Sequence, residues 1–136
     1  MIKLSGKKIS FDFDGTLEDD FGGEPNRHKE DVQKICRQLL ENGRDVYIIT
    51  KRYGPENSSL GKGNEHLVVY EAARKLGIPM NKVHFTNRIM KYELISKMGI
   101  DSHFENADYE VDLIKQYCPQ VTVVWVEDPY WKDLVY

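Results

Sequence analysis

Five short apolar runs alternate with longer amphipathic stretches along the chain. The runs are typical of buried β-strands and lie at 9–13, 46–50, 82–86, 101–105 and 121–126. The stretches between them repeat apolar residues at spacings of three and four, which predicts helices at 27–42, 64–76, 89–98 and about 108–117. Glycines placed to end the first three helices are Gly43, Gly77 and Gly99.

The alternation of strands and helices predicts the fold class. It favours an α/β fold: a single doubly wound (Rossmann-like) domain over residues 1–136, in which helices cover both faces of a five-stranded parallel sheet. Ligands of such sheets bind beyond the carboxyl ends of the strands, where the strand order reverses. The residues that follow each strand are therefore the first candidates for function.

Composition narrows the classes of partner. The 136 residues are 40% hydrophobic and 30% charged, with a net charge of −3. The overall charge therefore does not indicate that the protein binds nucleic acid, although a local basic patch is still an alternative. No apolar stretch approaches the roughly 18 residues of a membrane span, and the N-terminal residues MIKLSGKKIS lack a long apolar centre, so we expect neither a secretory signal nor a membrane partner. Cys36 and Cys118 are expected to be free thiols, which fits a cytoplasmic location. The aromatic C-terminus is interpreted as packing or a homo-oligomer contact.

Two acids stand together in the sequence ISFDFDGTL at residues 9–17. Asp12 and Asp14 are two residues apart on the predicted strand, so both side chains can face one site. Like charges this close repel each other unless a cation is present, and Mg²⁺ is the cation that oxygen ligands suit. Gly15 allows a sharp turn after Asp14. A plain strand end with an Asp-Gly turn is the alternative, but the whole stretch FDFDGTL favours a site.

This stretch resembles the first motif of the haloacid dehalogenase-like phosphatase superfamily. The later motifs of that superfamily fall on later strand ends of this chain. An apolar strand that ends in Thr50 matches the second motif. Lys91, near the start of the helix predicted at 89–98, matches the third, and Lys97 is the competing lysine. The fourth motif, usually two aspartates, reads Glu105-Asn106 here. The resemblance spans Phe11 to about Asp108.

The resemblance implies a chemistry. Asp12 would attack phosphorus and form an aspartyl-phosphate, and Asp14 would serve as the general acid and base. Thr50 would bind a phosphoryl oxygen, and Lys91 would neutralise charge. Mg²⁺ would be held by Asp12, Asp14, Glu105 and Asn106, and Asn106 departs from the family because an amide oxygen brings no charge. Glu105 would supply the missing carboxylate directly or through water, while Asp108 is a further candidate that is expected to cap the following helix.

The resemblance also bears on the substrate. The connections at 16–27 and before Lys91 are too short for a cap domain, so we expect an open site that accepts a bulky phosphorylated substrate. A nucleotide, a polynucleotide end, a phosphoprotein and a phosphosugar all meet this description. The loop at 51–63 is polar and glycine-rich, and within it Lys51 and Arg52 are the candidate substrate-binding residues. A solvated loop without a ligand is the alternative. None of the four histidines is expected to be a ligand.

Two other kinds of protein are weighed against a phosphatase. A response-regulator receiver would place its phosphorylated aspartate at the end of the third strand, where this chain has Thr86 and Asn87. The second alternative is a catalytically impaired relative that only binds phosphate, and Asn106 is the residue that supports it. Hydrolysis of a generic phosphomonoester in the presence of Mg²⁺ would separate an enzyme from both alternatives.

Overall fold

A computed structural model describes residues 1–136. The strands are Lys8–Phe11 (β1), Asp45–Thr50 (β2), Val83–Phe85 (β3), Ser102–Glu105 (β4) and Thr122–Trp125 (β5). The α-helices are Lys29–Glu41 (α1), Glu65–Leu76 (α2), Tyr92–Met98 (α3), Asp108–Tyr117 (α4) and Lys132–Val135 (α5). Short 3₁₀ helices cover Pro55–Leu60 and Met80–Lys82. The predicted order of five strands and four intervening helices is confirmed, and α5 adds a turn of helix in the C-terminal tail.

Two boundaries differ from the predictions for physical reasons. β1 ends at Phe11 because the chain folds into a turn just beyond it, where the Phe13 carbonyl accepts the amide protons of Thr16 and Leu17 at 3.2 and 3.1 Å. α3 begins at Tyr92, three residues later than predicted, because residues 86–89 form a turn in which the Ile89 amide donates to the Thr86 carbonyl and the Thr86 hydroxyl donates to the Ile89 carbonyl. Within this turn Asn87 and Arg88 adopt positive φ angles of 55° and 71°.

All strands of the sheet are parallel, in the order β3-β2-β1-β4-β5. β1 is central, so that Ile9 pairs with Val46 of β2 on one side and with Ser102 of β4 on the other. The chain winds outward from β1 through β2 to β3, then crosses to β4 and β5. The carboxyl end of β1 is thus the switch point at which sheets of this type bind ligands.

Helices cover both faces of the sheet, as predicted. Alternate residues of the strands point to opposite faces, so Ile48 joins the core under α1 and α2 while Ile49 joins the core under α3 and α4. The larger core contains Val32, Ile35, Cys36 and Leu39 of α1 with Val69, Ala73 and Leu76 of α2. The smaller core contains Ile95 of α3 with Val111 and Ile114 of α4. Both cysteines are free and buried.

The connections around the site are short. Residues 12–28 join β1 to α1, and residues 86–91 join β3 to α3; neither connection contains a further domain. The carboxyl edge of the sheet is therefore covered only by its own loops.

None of the helices combines the length and the apolar character that crossing a lipid bilayer would require.

Candidate active site

A cavity of about 290 Å³ lies where β1, β2 and β4 end. Seven of the eight residues singled out by the sequence line it: Asp12, Asp14, Thr50, Lys51, Lys91, Glu105 and Asn106. The eighth, Arg52, does not line the cavity and stands behind Asp14. The topology therefore brings together residues that are up to 94 positions apart in the chain.

Lys91 joins two carboxylates at the floor of the cavity. Its Nζ donates to Asp12 Oδ1 at 2.6 Å and to Glu105 Oε1 at 2.7 Å. Lys91 is the residue before α3, and its side chain is only 2% exposed. Lys97 lies in the last turn of that helix and is exposed to solvent. Lys91 therefore lines the cavity, whereas the competing lysine does not.

Glu105 is surrounded by hydrogen-bond donors. Its Oε1 accepts from Lys91 Nζ and from His103 Nε2, the latter at 2.9 Å. Its Oε2 accepts the backbone amides of Asn106 and Ala107, each at 3.2 Å. The residue is 1% exposed. Four donors occupy a carboxylate that the sequence offered as a metal ligand, so its observed contacts are those of a buried counter-ion for Lys91.

His103 supports Glu105 from inside the sheet. The strand pairing sets His103 opposite Ser10, whose Oγ lies 2.6 Å from His103 Nδ1. Because a carboxylate can only accept, the proton of the ring must be on Nε2, and Nδ1 then accepts from the Ser10 hydroxyl. Burial lowers the pKa of His103 more than the Glu105 carboxylate raises it, so the ring is neutral. The contacts run unbroken from Ser10 to Asp12.

One ammonium group serves two buried carboxylates, and this sets their protonation. Burial, together with the charge of Glu105, outweighs Lys91 and raises the pKa of Asp12 to about 8. Burial also disfavours the Glu105 carboxylate, but the charge of Lys91 and the hydrogen bond from His103 hold its pKa below its usual range. The pKa of Lys91 is raised despite burial, because Asp12 and Glu105 are both close. At neutral pH these shifts favour the protonated form of Asp12 and the carboxylate form of Glu105.

Asp14 is held by a bidentate ion pair. Arg52 Nε donates to its Oδ2 at 3.0 Å, and Arg52 Nη2 donates to its Oδ1 at 2.7 Å. The remaining nitrogen, Nη1, donates to the backbone carbonyl of Glu65 at 2.6 Å. The guanidinium also lies over two rings, with its carbon 5.1 Å from the centroid of Phe13 and 4.6 Å from that of Phe21. Asp14 therefore has one fixed orientation beside the cavity.

Gly15 and Asn106 fit against each other. Gly15 has a φ of +76°, and a Cβ at this position would overlap the Asn106 amide nitrogen. The backbone carbonyl of Asn106 accepts from Trp125 Nε1 at 3.0 Å, which fixes the position of the residue. Only glycine combines this backbone conformation with room for the amide. The amide group thus lies next to the turn that carries Asp12 and Asp14.

Thr50 and Lys51 follow β2 into the cavity. Thr50 is buried and its Oγ1 accepts the Arg52 amide proton at 3.3 Å. Lys51 forms no ion pair: its Nζ lies 3.1 Å from Tyr109 Oη, and 4.9 Å from the centre of that ring. Tyr109 is 48% exposed at the rim of the cavity. The rim therefore carries a cation and an aromatic ring.

Sequence reasoning missed three contributors. His103 was set aside, although it is two residues before Glu105 and so on the same face of β4 as that acid. Glu110 was not considered: its Oε2 accepts the Lys91 amide proton at 3.3 Å, and its Oε1 has no hydrogen-bond partner. Thr16 donates to Asp12 Oδ2 at 3.0 Å.

Asp108 was expected to cap α4. It is instead the first residue of that helix and is exposed, while Ala107 occupies the cap position.

Comparisons with known proteins give little support for a family. No protein-family model matches the chain, and no curated protein matches it. Among solved structures, it is similar to a protein from Vibrio cholerae provisionally described as a 3-deoxy-D-manno-octulosonate 8-phosphate phosphatase. The identity is 18% and the TM-score is 0.49, over 95% of this chain and 71% of that chain. A functional assignment therefore depends on the residues of the cavity.

Proposed function

We propose that the protein is a Mg²⁺-dependent phosphomonoester hydrolase of the haloacid dehalogenase-like type. The observation that carries this proposal is the contact of 2.6 Å between Lys91 and Asp12 at the floor of a cavity that Asp14 and Thr50 also line. A nucleophile, a group for proton transfer and a fixed cation then face one space at the switch point of the sheet.

Asp12 is the proposed nucleophile. In the first step, one of its carboxylate oxygens forms a bond to phosphorus while the bond between phosphorus and the leaving oxygen breaks. The product is an aspartyl-phosphate and an alcohol. In the second step, water attacks the same phosphorus, which releases inorganic phosphate and restores the Asp12 carboxylate.

Asp14 is the proposed proton carrier for both steps. It gives a proton to the leaving oxygen as the first bond breaks, and it takes a proton from the attacking water in the second step. Its side chain lines the same cavity as that of Asp12, so one substrate position can serve both residues. The two transfers cancel, and the enzyme returns to its starting protonation state.

Lys91 and Thr50 bind the transferred group. The ammonium of Lys91 offsets the charge that builds up on the phosphoryl oxygens, and in a buried site such an interaction is stronger than in water. Its second partner, Glu105, keeps that ammonium in place between the two strands. The Thr50 hydroxyl donates to a phosphoryl oxygen while its own oxygen continues to accept from the Arg52 amide.

The residues of the cavity fit Mg²⁺. The available donors are oxygens of Asp12, Asp14 and Asn106, and hard oxygen ligands are those that Mg²⁺ prefers. Burial, together with the charge of Glu105, raises the pKa of Asp12, and a divalent cation beside it would favour its carboxylate form. No group of three His, Cys, Asp or Glu side chains is arranged as a metal site, so the amide of Asn106 and the backbone carbonyl of Asp14 would complete the set. When bound, Mg²⁺ supplies charge stabilisation for the transferred phosphoryl group.

The sheet order argues against a receiver module. Receivers are doubly wound with the order 2-1-3-4-5, which places the third strand inside the sheet. Here β3 is an edge strand, next to β2 alone. The acceptor position of a receiver is therefore remote from the switch point at β1 in this fold.

The open rim favours a large leaving group. Lys51 has no acidic partner and Tyr109 exposes a flat ring, which together suit an anionic or aromatic neighbour of the phosphate, as in a nucleotide or a polynucleotide end. This substrate class is part of the proposal.

An assay of the purified chain tests the proposal. Release of inorganic phosphate is measured with p-nitrophenyl phosphate, phosphorylated metabolites and 3′- or 5′-phosphorylated oligonucleotides, with Mg²⁺ or EDTA. We expect hydrolysis that requires Mg²⁺, and a phosphoryl group on Asp12 in acid-quenched samples. Binding of phosphate without turnover of any substrate would instead support the catalytically impaired alternative.

A further inference from the structure

Arg52 makes a set of contacts that the general chemistry of the site does not require. Its side chain is buried, at 9% exposure, although the residue belongs to a polar loop. Two of its nitrogens hold the two oxygens of Asp14, and the third holds the backbone carbonyl of Glu65 at the start of α2. The amide of Arg52 itself is bound by Thr50.

These contacts leave Arg52 unavailable to a substrate. All of its side-chain nitrogens donate to protein oxygens, and the residue is absent from the wall of the cavity. Phe13 and Phe21 lie against the guanidinium. The expectation that Arg52 binds substrate directly therefore finds no support in the geometry.

We infer that Arg52 is a positioning residue that acts through Asp14. This inference rests on the proposed function, in which Asp14 donates a proton to the leaving oxygen. A single bond would leave the carboxyl group free to rotate about its Cβ–Cγ bond. A planar guanidinium fork that is itself fixed by Glu65 removes this freedom.

The proton transfer is compatible with the ion pair. When Asp14 carries the proton on one oxygen, the other oxygen still accepts from Arg52. As the bond from phosphorus to the leaving oxygen breaks, the proton passes to that oxygen, and Asp14 becomes a carboxylate that can use both donors again. Arg52 thus holds the orientation of Asp14 before and after the transfer, and it makes no contact with the substrate.

This role predicts a dependence on the leaving group. A phenolate with electron-withdrawing groups departs with little help from an acid, whereas an alkoxide needs a proton. Loss of Arg52 should therefore reduce turnover of an alkyl phosphate and leave turnover of p-nitrophenyl phosphate much less affected. Since Arg52 does not touch substrate, KM should change little for either.

The test compares Arg52→Lys and Arg52→Gln with wild type on p-nitrophenyl phosphate and glycerol 2-phosphate. General acid–base catalysis contributes about 10²- to 10⁴-fold, so we expect kcat for glycerol 2-phosphate to fall about 10- to 100-fold. We expect kcat for p-nitrophenyl phosphate to fall less than about threefold, because its leaving group needs little protonation. The matched control is Arg74→Gln, which removes a bidentate pair with Glu71 on the exposed face of α2. This control should leave both rates unchanged.

A double-variant cycle completes the test. In an Asp14→Asn background, a further Arg52→Gln change should have no additional effect on kcat, because the group through which Arg52 acts is gone. An additional loss in that background, a raised KM or equal losses on both substrates would overturn the inference in favour of substrate contact or a structural role. A wild-type chain that hydrolyses neither substrate would overturn the proposed function, and this role would fail with it. That result is read from the wild-type protein alone, so it is distinguishable from a failure of the role of Arg52, which is read from the variants.

Discussion

Replacing Glu105 with glutamine distinguishes two roles for this acid. All four neighbours of its carboxylate are donors: Lys91, His103 and two backbone amides. A glutamine amide has one acceptor oxygen and one donor nitrogen, so its NH₂ group must face either the two backbone amides or Lys91 and His103, and of these only the neutral His103 ring can switch tautomer and accept. Glu105→Gln therefore takes the acceptor away from either the two backbone amides or the Lys91 ammonium, which would then have only Asp12 beside it.

The expected cost is large because the site is buried. A buried donor that loses its acceptor costs about 1–3 kcal/mol, and more when it is charged, so we expect a loss of about 3–4 kcal/mol. This is a large fraction of the total stability of a small domain, which is about 5–15 kcal/mol. With a urea m-value of about 2 kcal/mol/M, the midpoint of unfolding should fall by about 2 M.

The assay is equilibrium urea unfolding at pH 7.5 with EDTA present, followed by circular dichroism. Glu110→Gln is the matched control, since Glu110 is also buried but has one oxygen without a partner that can become an NH₂ group without meeting a donor. We expect this control to lose less than about 1.5 kcal/mol, the ordinary net worth of one hydrogen bond.

The opposite result would refute this assignment. If Glu105 is chiefly a ligand in a repulsive acidic cluster, Glu105→Gln should relieve repulsion with Asp12 and stabilise the metal-free protein. An unchanged or raised urea midpoint would therefore show that the donors around Glu105 do not act as the geometry indicates.

Four further predictions concern the nucleophile, the metal and the turn at Gly15. Asp12→Asn should abolish phosphate release and keep the fold, shown by an unchanged circular dichroism spectrum, because asparagine is nearly isosteric with aspartate but is a poor nucleophile. Thermal stabilisation by Mg²⁺ should grow as the pH rises towards about 8, because the ion must displace the proton of Asp12, and a pH-independent shift in Tm would contradict this. Asn106→Asp should lower the Mg²⁺ concentration for half-maximal rate, and an unchanged midpoint would place residue 106 away from the ion. Gly15→Ala should destabilise the fold by at least about 1 kcal/mol in urea unfolding, because the added Cβ meets Asn106 at a positive φ; full stability would contradict that contact.

The sequence was informative wherever local pattern decides structure. Apolar runs and helical stripes predicted the order of the strands and helices, and parallel strands must place their carboxyl ends at one edge. This is why Asp12, Thr50 and Glu105 could be expected at one site. The boundaries of β1 and α3 could not be predicted, because they depend on a turn at Phe13 and on a second turn at residues 86–89.

The partners of each side chain were beyond the reach of sequence patterns. Arg52 was expected to bind substrate because it belongs to a basic loop, and its pairing with Asp14 depends on how that loop packs against α2. His103 was set aside because a lone histidine has many roles. Its contact with Ser10 depends on the register of β4 against β1, which no local pattern fixes.

The contacts of Lys91 also bear on the order of folding events. Its hydrogen bond to Asp12 spans 79 positions of the chain, so it cannot form before the segment that precedes α3 has joined β1. The entropy of closing such a long loop must be lost before the contact forms. Because a buried charge also loses its water only when its surroundings have packed, we expect these contacts to form after the transition state, so that substitutions at Lys91 accelerate unfolding while they leave the refolding rate nearly unchanged. Loss of this ammonium would thus shorten the lifetime of the folded chain without delaying its formation.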